Sequence, residues 1–110
     1  MPISTIGRRH ATRHMGGILA ARLMFDGRAA SVVGVFFANA TTIDSFDARD
    51  GHALTKGHMG ITIILAGLGF AEATAQVDGQ DALAAIVMGY EVALRVGIAL
   101  HAQAYCPSKL

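Results

Sequence analysis

A chain of 110 residues is one domain at most, and folding at this size hides only about two-thirds of the surface its unfolded form exposes. With 53% hydrophobic and 15% charged residues it is greasier than a soluble domain of roughly 25% charged residues, which points to the interior of a larger molecule whose partner surfaces lie outside this sequence. The net charge of +1 is spread without a basic stripe or interleaved aromatics, so nothing supports nucleic-acid binding, and the one cysteine, Cys106, cannot form an internal disulfide, in keeping with a reducing, cytoplasmic setting.

Met1 to Phe25 carries Arg8, Arg9, Arg13 and Arg22 with no acid before Asp26, a bias shared with targeting peptides. The apolar patch Met15 to Ala21 is short and holds Gly16 and Gly17, and Arg22 separates it from the next apolar residues. A helix from His10 to Phe25 is expected instead, stopped by Asp26-Gly27, since glycine commonly lies just past a helix end. From about Ala29 to Phe46, Val32, Phe36, Ala40 and Ile43 recur at helical spacing and Val33 and Phe37 widen the stripe, which predicts a second helix buried on most sides. Asp47 to Gly57 breaks the pattern with charges and two glycines and reads as a loop.

A third helix is expected from about His58 to Ala75. Its run of Ile61, Ile63, Ile64, Leu65, Leu68 and Phe70 is too long for an ordinary strand, and Ala66, Ala71, Ala73 and Ala75 favour helix. Gly60, Gly67 and Gly69 each cost about 1 kcal/mol relative to Ala there, so close backbone packing is the expected reason for them. Asp78 is an N-cap candidate with Asp81 three residues on, opening a long fourth helix from about Gln80 to Ala104. That helix is apolar enough to resemble a membrane span, but Glu91 and Arg95 stand in its middle at i,i+4, so a buried helix of a soluble enzyme and no membrane contact are expected. No internal repeat is visible, and the whole reads as an all-α bundle of about four helices, part of a larger helical domain.

The chemistry-bearing residues gather where the second helix gives way to the third. Asp44, Asp47, Asp50 and His52 are followed by Lys56-Gly57-His58, all between two apolar helices, and burying such groups is costly unless they are hydrogen-bonded or needed. His58 opens a helix, where the positive end of the dipole disfavours imidazolium, and Lys56 pushes the same way. A neutral imidazole there can exchange a proton with a substrate carbon or hydroxyl, with Asp47 orienting it or acting as the partner acid or base. The plainer alternative is that His58 caps its helix and Asp47 pairs with Arg49 or Lys56.

This stretch resembles the signature of the MmgE/PrpD family, in which an Asn-Gly segment leads through a helix of small residues to a Leu-Asp-aromatic-Asp-Asp-Thr-His run and then a His-Pro-Gly or His-Ala-Gly. Asn39 stands at the Asn, Phe46 at the Leu, Asp47 at the first Asp, Asp50 at the last, Gly51 at the Thr, His52 at the His and His58 at the later His. The runs from Leu65 to Ala73 and from Ala85 to Gly97 resemble the family's next two helices, so the likeness covers about Gly27 to Ala104. The resemblance implies a larger helical domain packed with an α+β domain that this sequence does not contain, a homodimer, and acid or base roles at Asp47 and His58, with Asp50, His52 and Lys56 at the substrate. It implies metal-independent dehydration, decarboxylation or epimerisation of small polycarboxylic acids, 2-methylcitrate among them, with no cofactor. Proton transfer beside a carboxylate suits a neutral histidine and a carboxylate, and a cation such as Lys56 suits the substrate's charges.

Arg49 stands where the family usually has an acid and Gly51 where it has threonine, so the substrate pattern differs. Cys106 falls about where a histidine is expected, and the further catalytic residues of the second domain are not in the 110 residues, which are therefore expected to hold half a site and to be inactive alone. Ser108-Lys109-Leu110 matches a peroxisomal address, a three-residue pattern of low information. Two rival readings remain. One is a metal-binding module on Asp44, Asp47, Asp50, His52 and His58, which lacks any established zinc or calcium spacing; the other is a small helical interaction protein that dimerises through exposed apolar faces.

Overall fold

The computed structural model describes residues 3–104, in the order α1 (Ile3–His14), β1 (Ala20–Arg22), β2 (Ala29–Ser31), α2 (Val32–Ser45), α3 (Met59–Thr74) and α4 (Gly79–Ala104). Cys106 and Ser108-Lys109-Leu110 lie outside the described residues. The fold is mostly helical, and a two-stranded sheet corrects the all-α expectation.

The correction falls on the helix expected from His10 to Phe25. Helix α1 stops at His14, and after Gly16 and Gly17 the chain turns extended. β1 then pairs antiparallel with β2 in the register Ala20↔Ser31, Ala21↔Ala30 and Arg22↔Ala29. Asp26-Gly27 is therefore a hairpin turn and not a helix stop, since the same dipeptide serves both. Gly27 takes φ 80° and Phe25 φ 63°, and the Leu23 N–H donates to the Arg28 carbonyl at 2.9 Å to close the turn. The Arg28 guanidinium grips both Asp26 oxygens at 2.6 and 2.8 Å, and that hydrogen-bonded charge lowers the Asp26 carboxyl to about 2.

The hairpin also takes the first residues expected of the second helix. Ser31 ends β2 and caps α2, its hydroxyl accepting from the Gly34 N–H at 3.1 Å. Of the stripe expected to face the core, Val32 is buried while Phe36, Ala40 and Ile43 are half-buried, and Val33 and Phe37 are exposed. The buried face is Val32, Gly34, Val35, Ala38, Asn39 and Thr42. Small residues win these positions because α1 presents Ser4, Gly7 and Ala11, at i, i+3 and i+7, and the two helices approach closely: a Cβ on Gly7 would lie 3.2 Å from Thr41. Asn39 is buried with its carbonyl oxygen accepting from the Met24 N–H at 3.0 Å, which ties the hairpin to α2. Ala11, Ala21, Leu23, Ala30, Val35 and Ala38 form the core, with Met15 packed against it.

α3 leans on α2 and on β1, where Glu72 accepts from the Arg22 backbone N–H at 3.0 Å and from its guanidinium at 2.7 Å. α4 begins as expected, the Asp78 carboxylate accepting from the Asp81 N–H at 2.8 Å. Among the helices and strands it packs on α3, where Gly89 faces Ile63, and it also touches the connection before α3, with Gly97 against Thr55 and Tyr90 against Asp50. Within the described chain α4 is not the buried helix expected, because no other element covers its far side: Leu83, Val87, Met88, Val92, Val96 and Leu100 are exposed. Glu91 and Arg95 form their ion pair on the exposed side.

Candidate functional site

The polar connection between α2 and α3 begins with a helix stop. Asp47, at φ 55°, donates its N–H to the Asp44 carbonyl at 3.0 Å, and Ala48 donates to the Ile43 carbonyl at 3.2 Å. These two bonds close a Schellman cap with Asp47 at the left-handed position, which short polar residues tolerate better than bulky ones. Its carboxylate pairs with the Arg49 guanidinium at 2.9 Å and is 82% exposed, while Asp44 engages the same guanidinium. The two acids hold the Arg49 guanidinium above its ordinary value, chiefly through the hydrogen bond to Asp44.

Asp50 is tied differently. Its carboxylate accepts from the Gly60 backbone N–H at 3.0 and 3.1 Å, in the first turn of α3, and from the Tyr90 hydroxyl on α4 at 2.7 Å. It thereby satisfies a donor that the helix start leaves open, since His58 at the N-cap makes no side-chain cap bond. The Tyr90 hydrogen bond is the main reason the Asp50 carboxyl sits below its ordinary value, with the Gly60 N–H adding to it against a desolvation cost. The same bond raises the Tyr90 phenol.

His58 is exposed, and its Nδ1 donates to the backbone carbonyl of Asp50. His52 forms a β-bridge with Gly57, and its Nδ1 meets the Thr55 N–H at 3.4 Å and the Thr55 hydroxyl at 3.3 Å. Lys56, at φ 49°, closes the turn by donating its N–H to the His52 carbonyl at 2.9 Å.

Three of the five residues singled out in the sequence come together. His52, Lys56 and His58 line one open cavity of about 310 Å³ with Gly51, Ala53 and Gly57. His58 also borders a second cavity of about 400 Å³, with Asp44, Thr41 and Thr62. Asp50 lines a third, of about 230 Å³, with Arg49, Gly60 and Tyr90. Asp47 lines none of these three. Two imidazoles and an ammonium around one depression can hold carboxylates and exchange protons with them. Among the described residues no three His, Cys, Asp or Glu side chains gather as a metal-binding set.

Sequence reasoning did not find Tyr90 or the role of Gly60. The available signal was that Tyr90 is the one aromatic residue of α4, set among aliphatics, where a buried hydroxyl usually needs a partner. Of the glycines expected to allow close packing, Gly60 does so: a Cβ there would lie 3.0 Å from an Asp50 carboxylate oxygen and would collide with the Tyr90 hydroxyl. A Cβ on Gly69 would make ordinary contact with Val32 at 3.6 Å, and one on Gly67 would meet open space.

A family model described as MmgE/PrpD N-terminal domain matches residues 1–107, a wider stretch than the motifs themselves span. Comparison with curated proteins and with solved structures gives no match.

Proposed function

The chain belongs to the MmgE/PrpD family through its N-terminal domain, and from that premise we propose that it supplies part of the site of a metal-independent lyase or isomerase moving protons on small polycarboxylic acids, in the manner of a 2-methylcitrate dehydratase. The observation that carries this reading is the shared cavity of His52, Lys56 and His58. Lys56 and His52 hold substrate carboxylates, and His58 exchanges the proton. Asp47 takes the partner acid or base role on the strength of the resemblance, and would exchange Arg49 for substrate to do so. Asp50, already held by Tyr90 and Gly60, shapes the site.

The cavity is open, so water competes for every charge in it, and the 110 residues by themselves are expected to bind polycarboxylates weakly without turning them over. Titration of citrate-like di- and tricarboxylates should move the ring signals of His52 and His58 in NMR spectra, less so at higher salt. If no di- or tricarboxylate moves them, the substrate class is wrong. Solvent-deuterium exchange into such an acid by the purified chain would overturn the half-site reading.

A second reading is favoured by the exposed apolar residues of α4, which suit dimerisation or docking on a helical partner. By length and composition α4 could cross a membrane, but Glu91 and Arg95 at its middle make that costly, and we read it as an interface of a cytoplasmic protein. Light scattering that gives a defined oligomer, together with silence in the carboxylate titration, would favour the interaction protein over the enzyme domain.

A further inference from the structure

We propose that Tyr90 is a positioning residue for His58, holding the imidazole as the tautomer whose Nε2 is free to accept a proton. The inference rests on reading His58 as the proton-transfer group, but its physical content does not depend on any substrate. A carbonyl oxygen can only accept a hydrogen bond, so the contact between His58 Nδ1 and the Asp50 backbone carbonyl places the ring proton on Nδ1. In the neutral ring the lone pair then lies on Nε2, the arrangement a general base needs.

His58 has little else to orient it. It is exposed, precedes the first turn of α3 and makes no cap bond with its side chain. The position of the Asp50 carbonyl therefore decides the ring, and Asp50 itself belongs to a connection without regular structure. What fixes Asp50 is its carboxylate, clamped between the Gly60 N–H of α3 and the Tyr90 hydroxyl of α4, a residue 40 positions away in sequence. Gly60 is part of the device because a side chain there would occupy the space of the Tyr90 hydroxyl. The lowered Asp50 carboxyl and raised Tyr90 phenol agree with a clamp in which Asp50 stays ionised and Tyr90 donates.

Nitrogen-15 spectra of the imidazole rings in the full chain, without ligand, test this directly. The wild-type chain should show His58 protonated at Nδ1 when neutral. Tyr90→Phe, which removes one hydroxyl, should lose that preference and move His58 toward the Nε2-protonated form, while His52 keeps its pattern. Asp50→Ala, which removes the clamped carboxylate outright, should move it in the same direction, and it carries the test if Tyr90→Phe does not fold by circular dichroism. A hydroxyl that only tied two helices together would lower the melting temperature and leave the tautomer as it was. A wild-type His58 protonated at Nε2, or a folded variant with the wild-type pattern, overturns the proposal. Neither result bears on the carboxylate titration, so the substrate class and the positioning role stand or fall separately.

Discussion

The two halves of the chain are both rich in apolar residues and use them differently. In α1, the hairpin and α2, small residues let the backbones close on each other, and Leu23, Val35 and four alanines are buried. In α3 and α4 the hydrophobic residues are larger and more continuous, yet Leu65 is the one described hydrophobic residue there that is buried. Apolarity states that a surface needs cover; it does not state that the cover is in the same chain. The candidate site lies at the seam, where the first half ends at Asp47 and the second begins at His58.

The contrast is open to a direct attack. Leu23→Ala, at a position 2% exposed, should destabilise by about 2–5 kcal/mol. Leu83→Ala or Val92→Ala on the outer side of α4 should change stability by no more than about 0.5 kcal/mol. Urea denaturation measures both, and equal losses would mean that α4 is covered in solution. A smaller difference is expected inside α3. Gly60→Ala should cost about 1–3 kcal/mol by displacing the Asp50–Tyr90 pair. Gly67→Ala faces open space and should stabilise by up to about 1 kcal/mol, so thermal melts of the two should move in opposite directions.

The smallest effect is electrostatic. The folded chain holds the Asp50 carboxyl below its ordinary value, so its stabilising contribution is full above the ordinary carboxylate range and fades as pH falls through the depressed value. The melting temperatures of the wild type and Asp50→Asn should therefore differ most near neutral pH and converge in acid. Asp50 is exposed, and solvent screening keeps the gap below that of the glycine substitutions. A gap that widens in acid would reverse the sign and remove the clamp as its cause.

Much of the fold was readable from residues alone where the cause is local. The α3 and α4 boundaries followed from long apolar runs and the Asp78 cap, and each fell within a residue or so of the structure. The polar connection was also visible, with Lys56 and two histidines close enough in sequence to reach one cavity. The hairpin was not, because Asp26-Gly27 ends a helix as readily as it turns a strand, and the pairing of Ala20–Arg22 with Ala29–Ser31 decides between them. Nor was the inner face of α2, where the fit to Ser4, Gly7 and Ala11 on α1 selects small residues over the bulkier Phe36 and Ile43.

By itself the amino-acid order determined where α3 and α4 begin and end, which stretch is polar, and, through linked motifs, the family. Those depend on neighbours a few residues apart, and in α3 and α4 the tertiary contacts agree with them. Only the tertiary structure decided that Asp50 meets Tyr90 and that α4 keeps an uncovered side. Such pairings depend on how close two elements come, and that distance is a sum over every side chain between them and not a property of any one segment.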